Sequence, residues 1–137
     1  MLPVFTDMKT LTLATALFII FSMTAFAQTK ETFTLKVGKQ KTAKKSRLKI
    51  KFLSVTEDSR CPVGVDCIWA GNAKVKVQIT GTHRSQIFEF NTNLGPKGDI
   101  FDGWAITIDN LTPYPHADKP LNRKSYKVKF AIERPSR

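Results

Sequence analysis

The only two thiols of this 137-residue chain fall in one short stretch, Asp58-Ser59-Arg60-Cys61-Pro62-Val63-Gly64-Val65-Asp66-Cys67-Ile68-Trp69-Ala70-Gly71. Two thiols at C-x5-C spacing have three chemical uses: a disulfide, a pair of metal ligands, or a redox couple. Zinc asks for four ligands, and neither His83 nor His116 is near in sequence. Thiol oxidoreductases use C-x-x-C, which this is not. A disulfide is the simplest outcome for a chain that leaves the cytosol, and the N-terminus specifies export. Lys9 gives a basic start, Leu11 to Phe26 an apolar run, and Ala25-Phe26-Ala27 a small-x-small cleavage site. The run is shorter than the ~20 apolar residues of a spanning helix. Residues 1–27 are therefore expected to be a signal peptide. Residues 28–137 are expected to be one exported domain, periplasmic or extracellular, monomeric and without an integral membrane span.

Joining Cys61 to Cys67 would remove roughly 2 to 3 kcal/mol of unfolded-chain entropy. Pro62 and Gly64 let the enclosed segment turn, and Trp69 is placed to lie against the sulfurs. An Asp58–Arg60 ion pair can fix the base of the loop, with little effect if it is exposed. The loop then serves either as a clasp on a long connection or as a presented recognition loop. In the second case Arg60, Val63, Val65 and Asp66 are its contact residues.

Charge offers a second surface. Lys and Arg number 22 against 11 Asp and Glu, a net charge of +11. Losing residues 1–27 removes one base, Lys9, and one acid, Asp7, and leaves that balance unchanged. Strand alternation points Lys36, Lys49, Lys51, Lys74, Lys76, Lys127 and Lys129 outward. Part of this set would make a continuous basic face for an anionic envelope polymer: lipid head groups, acidic wall polymers or extracellular DNA. The plain alternative is a solvated face that keeps sheet edges from pairing. Lysine outnumbers arginine, which favours a diffuse field over shaped phosphate recognition. No aromatic set is interleaved with the lysines, as single-strand binding would want.

The elements that carry these residues are strands. Apolar residues alternate through Phe33–Val37, Leu48–Phe52, Val75–Ile79, Trp104–Ile108 and Tyr126–Ile132. Ile87–Phe90 reads as a further strand, paired with residues 73–80 across Gly81-Thr82-His83-Arg84, and Gln40–Ala43 as another. Turn residues separate the runs, including Gly71-Asn72, Gly95-Pro96-Lys97-Gly98 and Pro113 with Pro115. The expectation is all-β: one antiparallel β-sandwich of six or seven strands, the immunoglobulin type being one candidate, with a small β-barrel as the alternative.

Enzyme chemistry finds no foothold. His83 and His116 are far apart and belong to no triad, H-E-x-x-H or phosphate loop. Ser59 and Ser85 lack a nucleophile elbow. Asn91 to Asp99 and Asp102 carry oxygen donors without the EF-hand order, and turn chemistry accounts for them. No catalytic residue, metal or cofactor is expected.

The pattern D-S-R-C-P-x2-V-x-C-x-W-A-G resembles a motif of small exported proteins and lipoproteins of bacteria, a largely uncharacterised family. The likeness extends through the strand from Ala73 to Leu111-Thr112-Pro113-Tyr114-Pro115 and a last strand holding Tyr126. It implies a bacterial exported β-domain and brings no catalytic residue or ligand. The expected function is therefore a non-enzymatic binding or accessory module of the envelope. The alternative is an inhibitor-like or structural protein that contacts a protein partner through the stapled loop.

Overall fold

Period-two alternation builds most of this chain, and the two faces it creates sort into a shared interior and two wet exteriors. The computed structural model describes residues 30–136; the signal peptide expected over 1–27 lies outside them. Eight strands follow in order: β1 Glu31–Lys36, β2 Gln40–Thr42, β3 Lys49–Asp58, β4 Ala73–Thr80, β5 Ser85–Asn91, β6 Gly98–Phe101, β7 Trp104–Thr112 and β8 Lys127–Glu133. A single 3₁₀ turn, Arg123–Ser125, precedes β8, with the Asn122 side chain accepting from the Lys124 amide.

The strands form two four-stranded antiparallel sheets, β1-β8-β7-β6 and β2-β3-β4-β5. They pack face to face as a sandwich, not a closed barrel. Each sheet is largely a meander, and the chain passes between sheets only after β1 and after β5. That strand order differs from the immunoglobulin one, in which strands from early and late hairpins are interleaved in each sheet.

The interior is apolar from both sides. Ile50 and Phe52 of β3, Val75, Val77 and Ile79 of β4, Ile106 of β7, and Val128 and Phe130 of β8 are fully buried. Phe33 meets Phe130 with ring centroids 5.9 Å apart. The expected strands are all present, Gln40–Ala43 as the three-residue β2. One strand goes beyond them: β6, read in the sequence as part of a turn-rich loop. It holds only four residues, too few for alternation to register. Gly98 permits it, because a Cβ there would collide with the Ile106 carbonyl of the neighbouring strand. Phe101 at its end is buried and packs edge-on against Phe88.

Two bulges shape β3. Its register against β4 shifts between Phe52 and Ser54 and again between Val55 and Glu57. Each inserts an extra residue and turns the following side chain to the other face. Ile50, Phe52 and Val55 point inward, and after the second bulge Asp58 does too, opposite the buried Ala73. The strand thereby delivers a carboxylate to the sandwich interior at the root of the cysteine loop. No helix among the described residues is long and apolar enough to cross a membrane.

Candidate functional site

The stapled loop joins β3 to β4 at one end of the sandwich. Cys61 and Cys67 are bonded, with Cα atoms 5.9 Å apart. The loop closes below the disulfide by backbone pairing: Ser59 N donates to Asn72 O at 2.7 Å and Cys61 N to Ala70 O at 3.3 Å. Gly71 makes this narrow base possible. Its φ is +69°, and a Cβ would stand inside contact distance of the Ser59 carbonyl. Neither condition suits another residue.

Asp58 and Arg60 form the anchor. The Arg60 guanidinium forks onto the carboxylate, Nε to Oδ1 at 2.9 Å and an Nη to Oδ2 at 2.7 Å. It also donates to Leu111 O at 2.6 Å and Pro113 O at 2.8 Å, and stacks over the Tyr114 ring 4.4 Å from its centroid. Tyr126, immediately before β8, donates its hydroxyl to Asp58 Oδ2 at 2.6 Å. One ion pair thus ties the loop root to β7, to the segment after it and to the residue that leads into β8. Its side chains are 4% and 10% exposed, so this is not the weak surface pair the sequence suggested. Arg60 is consequently not a contact residue at the loop tip: its donors are taken by Asp58, Leu111 and Pro113, one face lies on Tyr114, and it is buried.

Burial alone would raise the Asp58 carboxyl. The hydrogen bonds from Arg60 and Tyr126 and the guanidinium charge outweigh that and hold it below the usual carboxylate range. Burial, and then the Asp58 carboxylate, push the Tyr126 phenol up to about 12. The sign follows from linkage. A lowered carboxyl stabilises the fold fully above its unfolded value of about 3.9 and ceases to as pH falls through the lower folded value. The Tyr126 contribution is full below about 10, the unfolded phenol value, and is lost as pH rises toward the folded one. The stability gap between the natural chain and Asp58→Asn should therefore be constant from pH 5 to 9 and narrow steadily below pH 4. Urea midpoints measured across acid pH check this; a gap that widens in acid contradicts it.

Asn72 holds the other side of the site, a role the sequence did not reveal because its turn setting explains an asparagine by itself. It is buried. Its side-chain oxygen accepts from Asn93 N at 3.0 Å and Leu94 N at 3.1 Å, and its amide donates to Asn91 Oδ1 at 2.8 Å. The oxygen-rich loop after β5 is thus folded around Asn72. Among the described residues no group of three or more His, Cys, Asp and Glu is positioned to hold a metal.

What the anchored loop presents is apolar. Val63 and Val65 are 52% and 43% exposed, as expected of tip residues, and Asp66 is exposed with them. Ile68 and Trp69, at 90% and 78%, are the more prominent pair, and sequence reading missed both as contacts. Trp69 was expected on the sulfurs; it stands in solvent instead. On the inner side Val63 N donates to Pro115 O at 2.8 Å, so the tip rests on the segment after β7.

The seven outward lysines do not make one face. Lys36, Lys127 and Lys129 lie on the β1-β8-β7-β6 sheet, and Lys49, Lys51, Lys74 and Lys76 on the other. The two groups look out from opposite sides of the sandwich. Acids also interrupt the second group: Glu57 sits 3.0 Å from Lys74 Nζ, and Glu89 is the register partner of Lys76. The set expected to share a face in part is thus divided: Lys49, Lys51, Lys74 and Lys76 sit on the paired strands β3 and β4, and Lys36, Lys127 and Lys129 on the other sheet.

No family model, curated protein or solved structure matches this chain.

Replacing both cysteines by serine should lower stability by about 2 kcal/mol, the loop-closure value for so short a ring. Urea unfolding reads it, and an unchanged midpoint would show that the base hydrogen bonds alone define the loop.

Proposed function

We propose that this chain is an exported, non-enzymatic binding or accessory module of a bacterial envelope, and that it meets its partner through the tip of the stapled loop. One observation carries this: the consecutive residues Ile68 and Trp69 are both in solvent on a loop that is otherwise over-constrained. A disulfide, two backbone pairings and a buried ion pair hold the loop; among the described residues none covers its largest apolar side chains. Large apolar groups held rigidly in water favour contact, since burying them gains free energy with little ordering cost left to offset it. The disulfide and the cysteine motif's resemblance to small bacterial exported proteins support the location. The separation of the histidines supports the non-enzymatic assignment: His83 lies in the β4–β5 turn, at the far end from the loop, and His116 beside Val63.

The test is retention of envelope components on immobilised protein. Ile68→Ser with Trp69→Ser should abolish retention at an unchanged melting temperature, because both side chains are already exposed. Full retention by this double variant would remove the loop from the contact surface.

A further inference from the structure

The stapled end carries a second feature beside the tip. Lys36 on β1 and Lys127 on β8 are direct register partners, and Thr112 on β7 is the partner of Lys127 on the other side. The three form one row across the outer face of that sheet. With Pro113 and Ser125 they line an open groove of about 410 Å³. Like charges placed opposite each other across strands repel. Two other outward lysines have an acid beside them, Lys129 with Asp109 at 3.9 Å and Lys74 with Glu57 at 3.0 Å, and neither faces a like charge across its strand pairs. Lys36 and Lys127 form no ion pair among the described residues, and no acid lines their groove. An anion entering it would relieve a repulsion that the fold leaves standing.

The groove and the tip share one wall. Pro113 borders the groove and its carbonyl accepts from Arg60 at the loop root; Pro115, two residues on, accepts from Val63 of the tip. An apolar projection and an unneutralised lysine pair are thus held in fixed relation at one end of the molecule. That is the combination an anionic bilayer surface fits: tryptophan and aliphatic side chains favour the boundary between head groups and acyl chains, and lysines favour head-group phosphates. A protein cleft would fit the projection but gives no account of the lysine pair.

We propose that this end of the sandwich docks on an anionic phospholipid surface, with Ile68, Trp69, Val63 and Val65 entering the interface and Lys36 and Lys127 taking phosphates. The assignment rests on the loop tip being the contact surface. Asp66, the one acid between the cysteines, sets the depth: it stays at head-group level, so the tip is embedded shallowly and reversibly. The net charge of +11 draws the whole molecule toward such a surface.

The strands of the described residues lie within 31–133, and the chain from Gln28, the form expected after export, is the one to test. It is sedimented with vesicles of phosphatidylcholine alone and of phosphatidylcholine mixed with phosphatidylglycerol. The unaltered domain should bind the mixed vesicles and bind the neutral ones far more weakly. Lys36→Gln with Lys127→Gln should lower affinity for the mixed vesicles roughly fivefold per lysine and erase most of the preference for them. Ile68→Ser with Trp69→Ser should lower it roughly tenfold or more on both. All four side chains are exposed or outward, and equal melting temperatures confirm that the variants fold. Failure of the unaltered domain to bind mixed vesicles overturns the proposal, as does binding that the loop variant leaves unchanged. If vesicles are ignored while the loop variant still abolishes capture of an envelope protein, the lipid assignment falls and the contact loop stands. If the loop variant alters neither, both fall.

Discussion

Arg60→Ala should destabilise this protein by about 3–5 kcal/mol, the usual cost of removing one partner from a buried pair. The loss has three parts that act together. Asp58 keeps its charge in a site it shares with Tyr126 but loses both guanidinium hydrogen bonds. The carbonyls of Leu111 and Pro113 lose their donor. The Tyr114 ring loses the plane it packs on. Arg60→Lys should recover only part of the loss, since an ammonium matches the charge but not the planar fork that reaches a carboxylate and two carbonyls at once. Guanidinium unfolding at neutral pH measures both. A loss below 1 kcal/mol for the alanine variant would mean the pair is solvated and the anchor absent. The same expectation changes how binding experiments on this loop must be built: an Arg60 variant tests the foundation of the loop, and only tip variants such as Ile68→Ser test its contacts.

Phe130→Ala should cost about 3–5 kcal/mol as well, by a different mechanism. Phe130 is fully buried on β8, the strand that pairs with both β1 and β7. Its ring meets Phe33 on one side and stands in register with Ile108 on the other. Truncation removes transfer free energy and leaves a cavity that two hydrogen-bonded neighbours prevent from collapsing. Phe88→Ala, on the edge strand β5 and only partly buried, should cost less than half as much because less apolar surface is lost and solvent can fill the gap. Thermal and urea unfolding of the two variants compare them directly; equal losses would mean the core is not centred on β8. Against a typical total stability of about 5–15 kcal/mol, the Phe130 loss would leave a marginal fold.

The division between what was legible and what was not runs along physical lines. Alternation located β1, β3, β4, β7 and β8 because each buries one face, and burial writes itself into every second residue. It lost β6 because four residues between turn glycines carry too little pattern. It misjudged Arg60 for a related reason. A charged residue next to a cysteine loop looks solvent-exposed, and its partners Leu111, Pro113 and Tyr114 are more than fifty positions away; only Asp58 is local. The bulges of β3 are invisible in the same way, since a residue inserted into one strand is defined by its partner strand.

Residue types and spacing alone determined that this chain is made of strands, that its two thiols close one ring, and that Val63, Val65 and Asp66 lie on that ring. These are consequences of local pattern and of loop length. Tertiary structure decided which lysines share a surface, that Arg60 is an anchor and not a contact, and that Ile68 and Trp69 are the groups left in water. Those outcomes depend on which strands become neighbours, and neighbours are chosen by the packing of two sheets around a common core, not by any one segment.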